Sequence, residues 1–569
     1  MNFTLIVNTL KTVLLEIQFF SAFVESLSKN FQSSVALTGG LPPVGQDRGL
    51  LPVYHRSHRH SQINGFHFTR RIMKITGKLL ILSLSLLLLI PPAFGAGLEE
   101  KVREHTLKNG MKVLMVERHT SPTVALWIRY KVGSVNELSD ERGIAHLLEH
   151  MLFKGTKTIG TRNYAAERPL LAEIEKNASE LMAEKLKKDK ADKGKIEALS
   201  KKLASLEAKE DAYVLPNEFS QIYAKNGGLS LNAFTAKDTT AYMVNLPSNK
   251  IELWASMESD RMKNAVLRQF YTERNVVMEE RRRAYETEPD GKLWEEFLAA
   301  AFVAHPYGLP IIGWMSDIEN LSRTKAESFL RRYYAPNNAV VAIVGDIDPR
   351  KTVSLVEKYF GSIPPGRSVP PVATVEPKQS GERRVEVVDD AEPELLMGFH
   401  KPAVSSPDDY VFDVIEMILA DGRTSLLFRK LVVETQIAAD ISAASVPGSM
   451  YPNLFLISAT PRSPHTVVEL EKAINDELEL LKNKPLSRKE LDKVLNNLEA
   501  GEINSMGSNG GIAYRLTEYE ATVGTWRYMV EHRKKVARVT PEDVLRVART
   551  YFTRENRTVG FITKREATR

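Results

Sequence analysis

Apolar residues at strand-like and helix-like spacing run twice through this chain in the same order, and that recurrence restricts its fold more than any other feature. In the first pass, residues 102–116 alternate apolar and polar around Asn109-Gly110, the pattern of a hairpin. Thr123 to Val132 reads as a further strand. From Asp140 to Phe153 the spacing becomes helical, with Ile144, Leu147, Leu148, Met151 and Leu152 on one face and Asp140 placed as the cap. Gly227-Gly228 opens a strand region from Leu229 to Leu246; helices follow over Lys250 to Leu267 and Thr272 to Tyr285, then a buried-type strand over Asn338 to Ile347.

Pro364 to Arg384 is rich in Pro, Gly, Ser and charge, the composition of a linker. Beyond it the order recurs. Strands are expected at Arg384 to Asp389 and Leu395 to His400, helices at Asp408 to Ala420 and Thr424 to Glu434, then strands at Ala438 to Ser445, Leu454 to Thr460 and Thr558 to Thr563. The expectation is an α+β protein of two tandem homologous α/β-sandwich domains, 97–363 and 384–569, joined by residues 364–383. Only the first carries an extra stretch. Residues 169–211 are rich in Ala, Leu, Glu and Lys and read as an inserted helical hairpin with solvated faces, Gly194 lying between its two runs.

The chain has 569 residues and a formal net charge of +6, with basic and acidic residues interspersed. No cluster of Lys and Arg interleaved with aromatics is present, so nucleic acid is not an expected partner. Cysteine is absent, which excludes disulfides, thiolate metal sites, thiol nucleophiles and lipidation on Cys. Any metal must be held by His, Asp or Glu.

Leu79 to Ile90 is apolar except for two serines, and is preceded by Lys74 and Lys78. Pro91-Pro92 and the small residues around Gly95 and Ala96 follow it. A run this short suits the core of a cleaved signal peptide better than a membrane span. The reading is a start at Met73, a signal peptide over 73–96, and export to the periplasm or beyond. An uncleaved inner-membrane anchor is the alternative. Residues 1–72 then lie upstream, untranslated or disordered; their stretch His55-Arg56-Ser57-His58-Arg59-His60 has metal-binding composition but carries no assigned role.

The chemistry concentrates in His146-Leu147-Leu148-Glu149-His150. Residues at i and i+4 share a helix face, so both imidazoles can reach one metal ion. Glu149, at the edge of that face, can reach a water beside the metal without ligating it. This is the inverse of the usual zincin order. Two histidines and a glutamate on a helix flanked by Leu, Met and Phe need something to offset their desolvation, and a metal supplies it. Zinc needs a third protein ligand. The acidic helix Thr272 to Tyr285 offers Glu273 and Glu280, seven residues apart on one face, with Glu279 pointing elsewhere.

The strings HLLEHMLFKGT, Leu231-Asn232-Ala233-Phe234-Thr235 and ERNVVMEE (residues 273–280) resemble the pitrilysin/insulysin family of zinc peptidases, which includes the mitochondrial processing peptidase. The similarity runs from about Glu104 to Thr563, and ADGRTSLLF (residues 420–428) resembles the family's second half. The resemblance implies two α+β domains arranged as a half-clamshell. It implies one zinc ion per chain held by His146, His150 and Glu280, Glu149 as general base, and Glu273 supporting the ligands from behind. It makes Leu231, Asn232, Ala233 and Phe234 an edge strand that pairs with an extended peptide substrate.

Two departures accompany it. Glu280 follows His150 at more than the family's usual separation, and the 169–211 hairpin accounts for the excess. The family's active members also need an Arg and a Tyr, seven residues apart, from a second-half domain; alignment places Val432 and Ala439 there. The implied arrangement is a heterodimer, this chain pairing with a non-catalytic homologue that supplies Arg and Tyr, with a homodimer as the lesser alternative. A non-enzymatic peptide-binding or assembly subunit is the competing reading.

Overall fold

The computed structural model describes residues 97–565. The upstream segment, the signal segment and its membrane-anchor alternative lie outside the described residues. Among the described residues no helix is long and apolar enough to cross a membrane.

Two mixed sheets organise the chain. The first holds β1 (Val102–Thr106), β2 (Lys112–Glu117), β3 (Thr123–Tyr130), β4 (Leu229–Thr235), β5 (Thr240–Pro247) and β6 (Ala339–Gly345), in the order β1-β2-β6-β3-β5-β4. The second holds β7 (Arg383–Asp389), β8 (Leu395–Lys401), β9 (Ala438–Val446), β10 (Asn453–Pro461) and β11 (Arg557–Lys564), in the order β7-β11-β8-β10-β9. Without β1 the two orders are identical. The one parallel pair of each sheet, β2 with β6 and β7 with β11, falls at the same place. The repeat expected from the sequence is therefore a repeat of topology.

Seven helices matter for the site and for the contact between halves. They are α1 (Ile144–Met151), α2 (Tyr164–Lys185), α3 (Lys193–Asp211), α4 (Phe270–Arg281), α5 (Pro289–Ala301), α6 (Asp409–Leu419) and α7 (Asn509–Thr522). α1 follows β3 as α6 follows β8, so they occupy corresponding positions. α1 buries Ile144, Ala145, Leu147, Leu148 and Met151 in the core of the first half and leaves His146, Glu149 and His150 half-buried on its other side.

The second face of each sheet is covered by a helix from the other half. Ile512, Ala513 and Leu516 of α7 pack on Leu114, Val116, Trp127 and Val344 of the first sheet. Leu293, Phe297 and Leu298 of α5 pack on Val387, Leu396, Leu454 and Ile562 of the second. Gly398 and Gly560 make room: a Cβ on Gly398 would lie 2.7 Å from Phe297 Cζ. Arg129 of β3, fully buried, donates to Thr239 Oγ1 at 2.9 Å and pairs with Glu518 of α7.

Three local expectations change. Asp140 does not cap α1: its carboxylate accepts from Lys325 at 2.8 Å. The N-cap is Gly143, in the left-handed region at φ 87°, and Glu137 reaches over to accept from the backbone N–H groups of Gly143 and Ala145, both at 2.9 Å. Gly194 does not separate the inserted helices but lies inside α3, where Asp192 caps by accepting from Lys195 N at 3.0 Å; the break falls just upstream. The helix expected over Thr424 to Glu434 narrows to a π-helical segment, Phe428–Glu434.

Candidate metal centre

Two helices build the centre. α1 presents His146, Glu149 and His150, and α4 presents Glu273 and Glu280. Gly143 permits the abrupt start of α1; a Cβ there would meet Ile312 O at 2.2 Å. Arg281, adjacent to Glu280, donates to Gly313 O at 2.7 Å and forks onto Glu295 at 2.8 and 3.1 Å. Gly313 in turn packs against Arg142 and Gly143, so the end of α4 is tied to the start of α1.

One nitrogen of each imidazole and one oxygen of Glu280 all lie within 4.8 Å of one another. Nε2 of His146 and Nε2 of His150 are each 3.6 Å from a Glu280 oxygen. That is too long for a hydrogen bond. It is close to the edge of a tetrahedron of N and O ligands around zinc, roughly 3.4 Å. The donor set, two neutral imidazoles and a carboxylate, is a zinc-type set, so the residues present fit the ion.

The surroundings favour the neutral state at His146 and the charged one at His150. Burial and the neighbouring His150 push His146 down to about 4, which keeps its ring neutral and able to ligate. Burial also opposes charge on His150, but its bond to Glu273 and the nearby Glu280 and Glu149 outweigh it and raise its pKa. Glu273 Oε1 lies 3.0 Å from His150 Nδ1, leaving Nε2 for a metal, and Glu273 Oε2 takes Lys154 Nζ at 2.6 Å. Burial would raise Glu273, yet those two partners hold it at about 2. Such a carboxylate behind a ligating imidazole fixes its tautomer. Glu279 points away and pairs with Arg282.

Glu149 does not join the cluster of ligand atoms. Its Oε2 accepts from Thr235 Oγ1 at 2.7 Å, and burial raises its pKa. Thr235 stands in the quoted Leu231-to-Thr235 string, but nothing in the sequence distinguishes it from its neighbours.

β4 is the edge of the first sheet. Asn232, Ala233 and Phe234 are in register with β5; Leu231 lies in an irregularity between Leu229 and Asn232, where Ser230 has φ 53°. Asn232 and Ala233 line a cavity of about 350 Å³ together with Glu149, His150 and Glu273. In the second half, α6 carries no histidine. Val432 lies half-buried in the π-helical segment and Ala439 exposed on β9.

Fold and site together define a two-domain protein whose first half carries, among the described residues, a candidate metal centre on an inverted His-x-x-Glu-His helix. Known proteins place it further. The family model described as insulinase, peptidase family M16, matches residues 112–188 and 211–314, and that of the M16 inactive domain matches 320–498. The interruption at 189–210 falls mostly within α3. The zinc protease PqqE of Helicobacter pylori is 27% identical over 492 residues, covering 85% of this chain and 98% of that one. YmxG of Bacillus subtilis, named as an uncharacterized zinc protease, is 22% identical over 457 residues, covering 80% and 96%. The crystal structure of a protease from Helicobacter pylori superposes with a TM-score of 0.68 at 28% identity, covering 81% of this chain and 99% of that one. A Pseudomonas fluorescens structure titled as an M16 inactive domain shares the fold, with a TM-score of 0.65 at 16% identity and coverage of 82% and 99%. The chain belongs to the insulinase family, peptidase family M16.

Proposed function

We propose that this chain is an exported zinc-dependent endopeptidase that hydrolyses peptides or unfolded polypeptides as the catalytic member of a heterodimer. The observation that carries the reading is the convergence of His146, His150 and Glu280 within 4.8 Å, with Glu149 beside them on Thr235. One zinc ion held by those three residues would supply Lewis acidity toward the scissile carbonyl.

The chain's own residues perform the rest. The free edge of β4, from Leu231 to Phe234, offers backbone groups to an extended peptide, which favours unfolded substrates over folded ones. Glu149 accepts a proton from the attacking water as its oxygen bonds to the carbonyl carbon. As the C–N bond breaks, Glu149 returns that proton to the leaving nitrogen, so the carboxylate is regenerated. Thr235 holds one Glu149 oxygen and leaves the other for this exchange. Glu273 keeps His150 in its ligating tautomer.

Export rests on the apolar run Leu79 to Ile90 with its basic flank and small-residue exit. Pairing with a homologue rests on Val432 and Ala439, neither of which can supply the guanidinium or phenol that the family resemblance calls for. The same two positions favour a second reading, a peptide-binding subunit without turnover. Cleavage of an internally quenched, unstructured peptide decides between them. The proposal expects cleavage that a chelator abolishes and zinc restores. A purified chain that binds zinc and peptide yet cleaves nothing, even with its homologue present, would establish the second reading. Full activity from the chain alone as a homodimer would remove the heterodimer.

A further inference from the structure

α6 stands in the second half where α1 stands in the first, and it too turns a polar face to a cavity. Asp409, Asp413 and Glu416 lie at i, i+4 and i+7 on one side of the helix, and Asp421 follows just past its end. All four border a cavity of about 770 Å³. The helix Arg488–Ser505 supplies another wall through Asn497, Ala500, Gly501 and Asn504, which also share one face. A Cβ on Gly501 would meet nothing within 4 Å, so these small residues leave the space open.

The chain's own cations already occupy the first two carboxylates. Buried Lys401 pairs with Asp409, and His532 lies 2.6 Å from Asp413 and 2.9 Å from Glu502. Glu416 and Asp421 have no ion-pair partner among the described residues. A further acceptor is left over beside them. Asn453, 1% exposed and bordering the same cavity, donates through Nδ2 to Gly448 O, and its Oδ1 meets no donor among the described residues. A buried acceptor without a partner is uncommon. Arg515, the remaining cation of the lining, donates to Tyr519 Oη at 2.9 Å. Five carboxylates thus face three cations, and the cavity is net negative. The rings of Tyr519 and Tyr528, 5.0 Å apart, border it as well and offer faces that attract an organic cation. A metal ion does not fit. Among the described residues only His146, His150 and Glu280 bring three ligand atoms within 4.8 Å, so these carboxylates stand too far apart to share one ion.

We propose that this second-half cavity is a binding site for a primary alkylammonium group, from a free diamine or a lysine side chain, received by Glu416, Asp421 and Asn453 Oδ1. The site does not depend on turnover in the first half. Its affinity carries a pH signature. Burial, with Asp413 and Asp421 alongside, raises Glu416 to about 7 against the opposing charge of Lys401, while His532, at about 9, keeps its charge through neutral pH. An entering ammonium displaces the proton on Glu416, so binding is expected to tighten about tenfold from pH 6 to pH 8.

The test titrates the full chain, zinc-loaded, by calorimetry with a linear pentane diamine, with an acetylated lysine amide and with magnesium chloride. Saturable binding of an amine is expected, weakened about tenfold or more by Glu416→Gln. Gly501→Leu, which fills the cavity and removes no charge, is expected to weaken it as much. Asp421→Asn, at an exposed position, gives a third variant should either of these fail to fold, with a loss in the same direction. A preference of about tenfold or more for the diamine supports the proposal with a free amine as the source; equal binding of the lysine amide supports it with a polypeptide side chain as the source. No saturable binding of either amine, binding that survives all three substitutions, or a site that takes magnesium and excludes both amines would overturn the proposal.

Discussion

Glu273 and His150 form a pair at 3.0 Å in which the carboxylate comes from α4 and the imidazole from α1, so the two helices of the centre are joined by a contact that does not involve the metal. Carboxylates placed behind a ligating histidine commonly contribute 10- to 100-fold to metal affinity. Glu273→Ala is expected to weaken zinc binding by about that factor, measured by competition with a chromophoric chelator. An affinity unchanged within twofold would mean that His150 keeps its orientation without this partner.

Thr235 is expected to act on turnover rather than on metal. Thr235→Val keeps the shape and removes the donor to Glu149. A hydrogen bond to a charged group contributes about 1.5–3 kcal/mol, so kcat/KM is expected to fall roughly 10- to 100-fold while zinc content stays the same. Loss of zinc in this variant would show that Thr235 supports the ligands instead.

The exchange of helices between halves predicts where stability resides. Phe297→Ala empties the place between α5 and the second sheet and is expected to cost about 3–5 kcal/mol. Gly398→Ala places a Cβ 2.7 Å from Phe297 Cζ and is expected to cost about 1–3 kcal/mol by overpacking. Chemical denaturation measures both; changes below 0.5 kcal/mol in each, a threshold typical of neutral surface substitutions, would argue that α5 is not part of the second core.

His532 gives the second half a pH dependence. It lies between Asp413 at 2.6 Å and Glu502 at 2.9 Å, and although burial opposes its charge, these partners raise it to about 9. A histidine raised on folding stabilises fully below its unfolded value near 6.5 and loses that contribution as pH climbs through 9. Up to about 3 kcal/mol of stability is expected to disappear over that window, and His532→Gln is expected to flatten it. Unfolding free energies at pH 6 and pH 9.5 that differ equally in both proteins would refute the assignment.

Much of the architecture was legible because it depends on short-range pattern. The two strand-helix series and the helix bearing His146 and His150 follow from periodicity, whereas the edge strand around Asn232 follows only from the family resemblance. The position of Glu280 beside the histidines did not follow from spacing. Glu273 and Glu280 share a helix face, and only the packing of α4 against α1 separates the carboxylate at the ligand atoms from the one behind His150. The cap of α1 was misplaced for a similar reason. Asp140 has the right chemistry, but Lys325, distant in sequence, takes its carboxylate, while Glu137 folds back to the helix start. Nor does an amphipathic pattern name its partner: α5 and α7 each carry an apolar face, and nothing in either face says that it belongs against the opposite half.

The most direct measurement is zinc per chain in two neighbouring variants, Glu280→Ala and Glu279→Ala, against the unsubstituted protein. Glu280 lies at the ligand atoms of His146 and His150, whereas Glu279 turns away to Arg282. One zinc is expected in the unsubstituted chain and in Glu279→Ala, and well under one in Glu280→Ala. Full zinc occupancy in Glu280→Ala would contradict the assignment of Glu280 as a ligand.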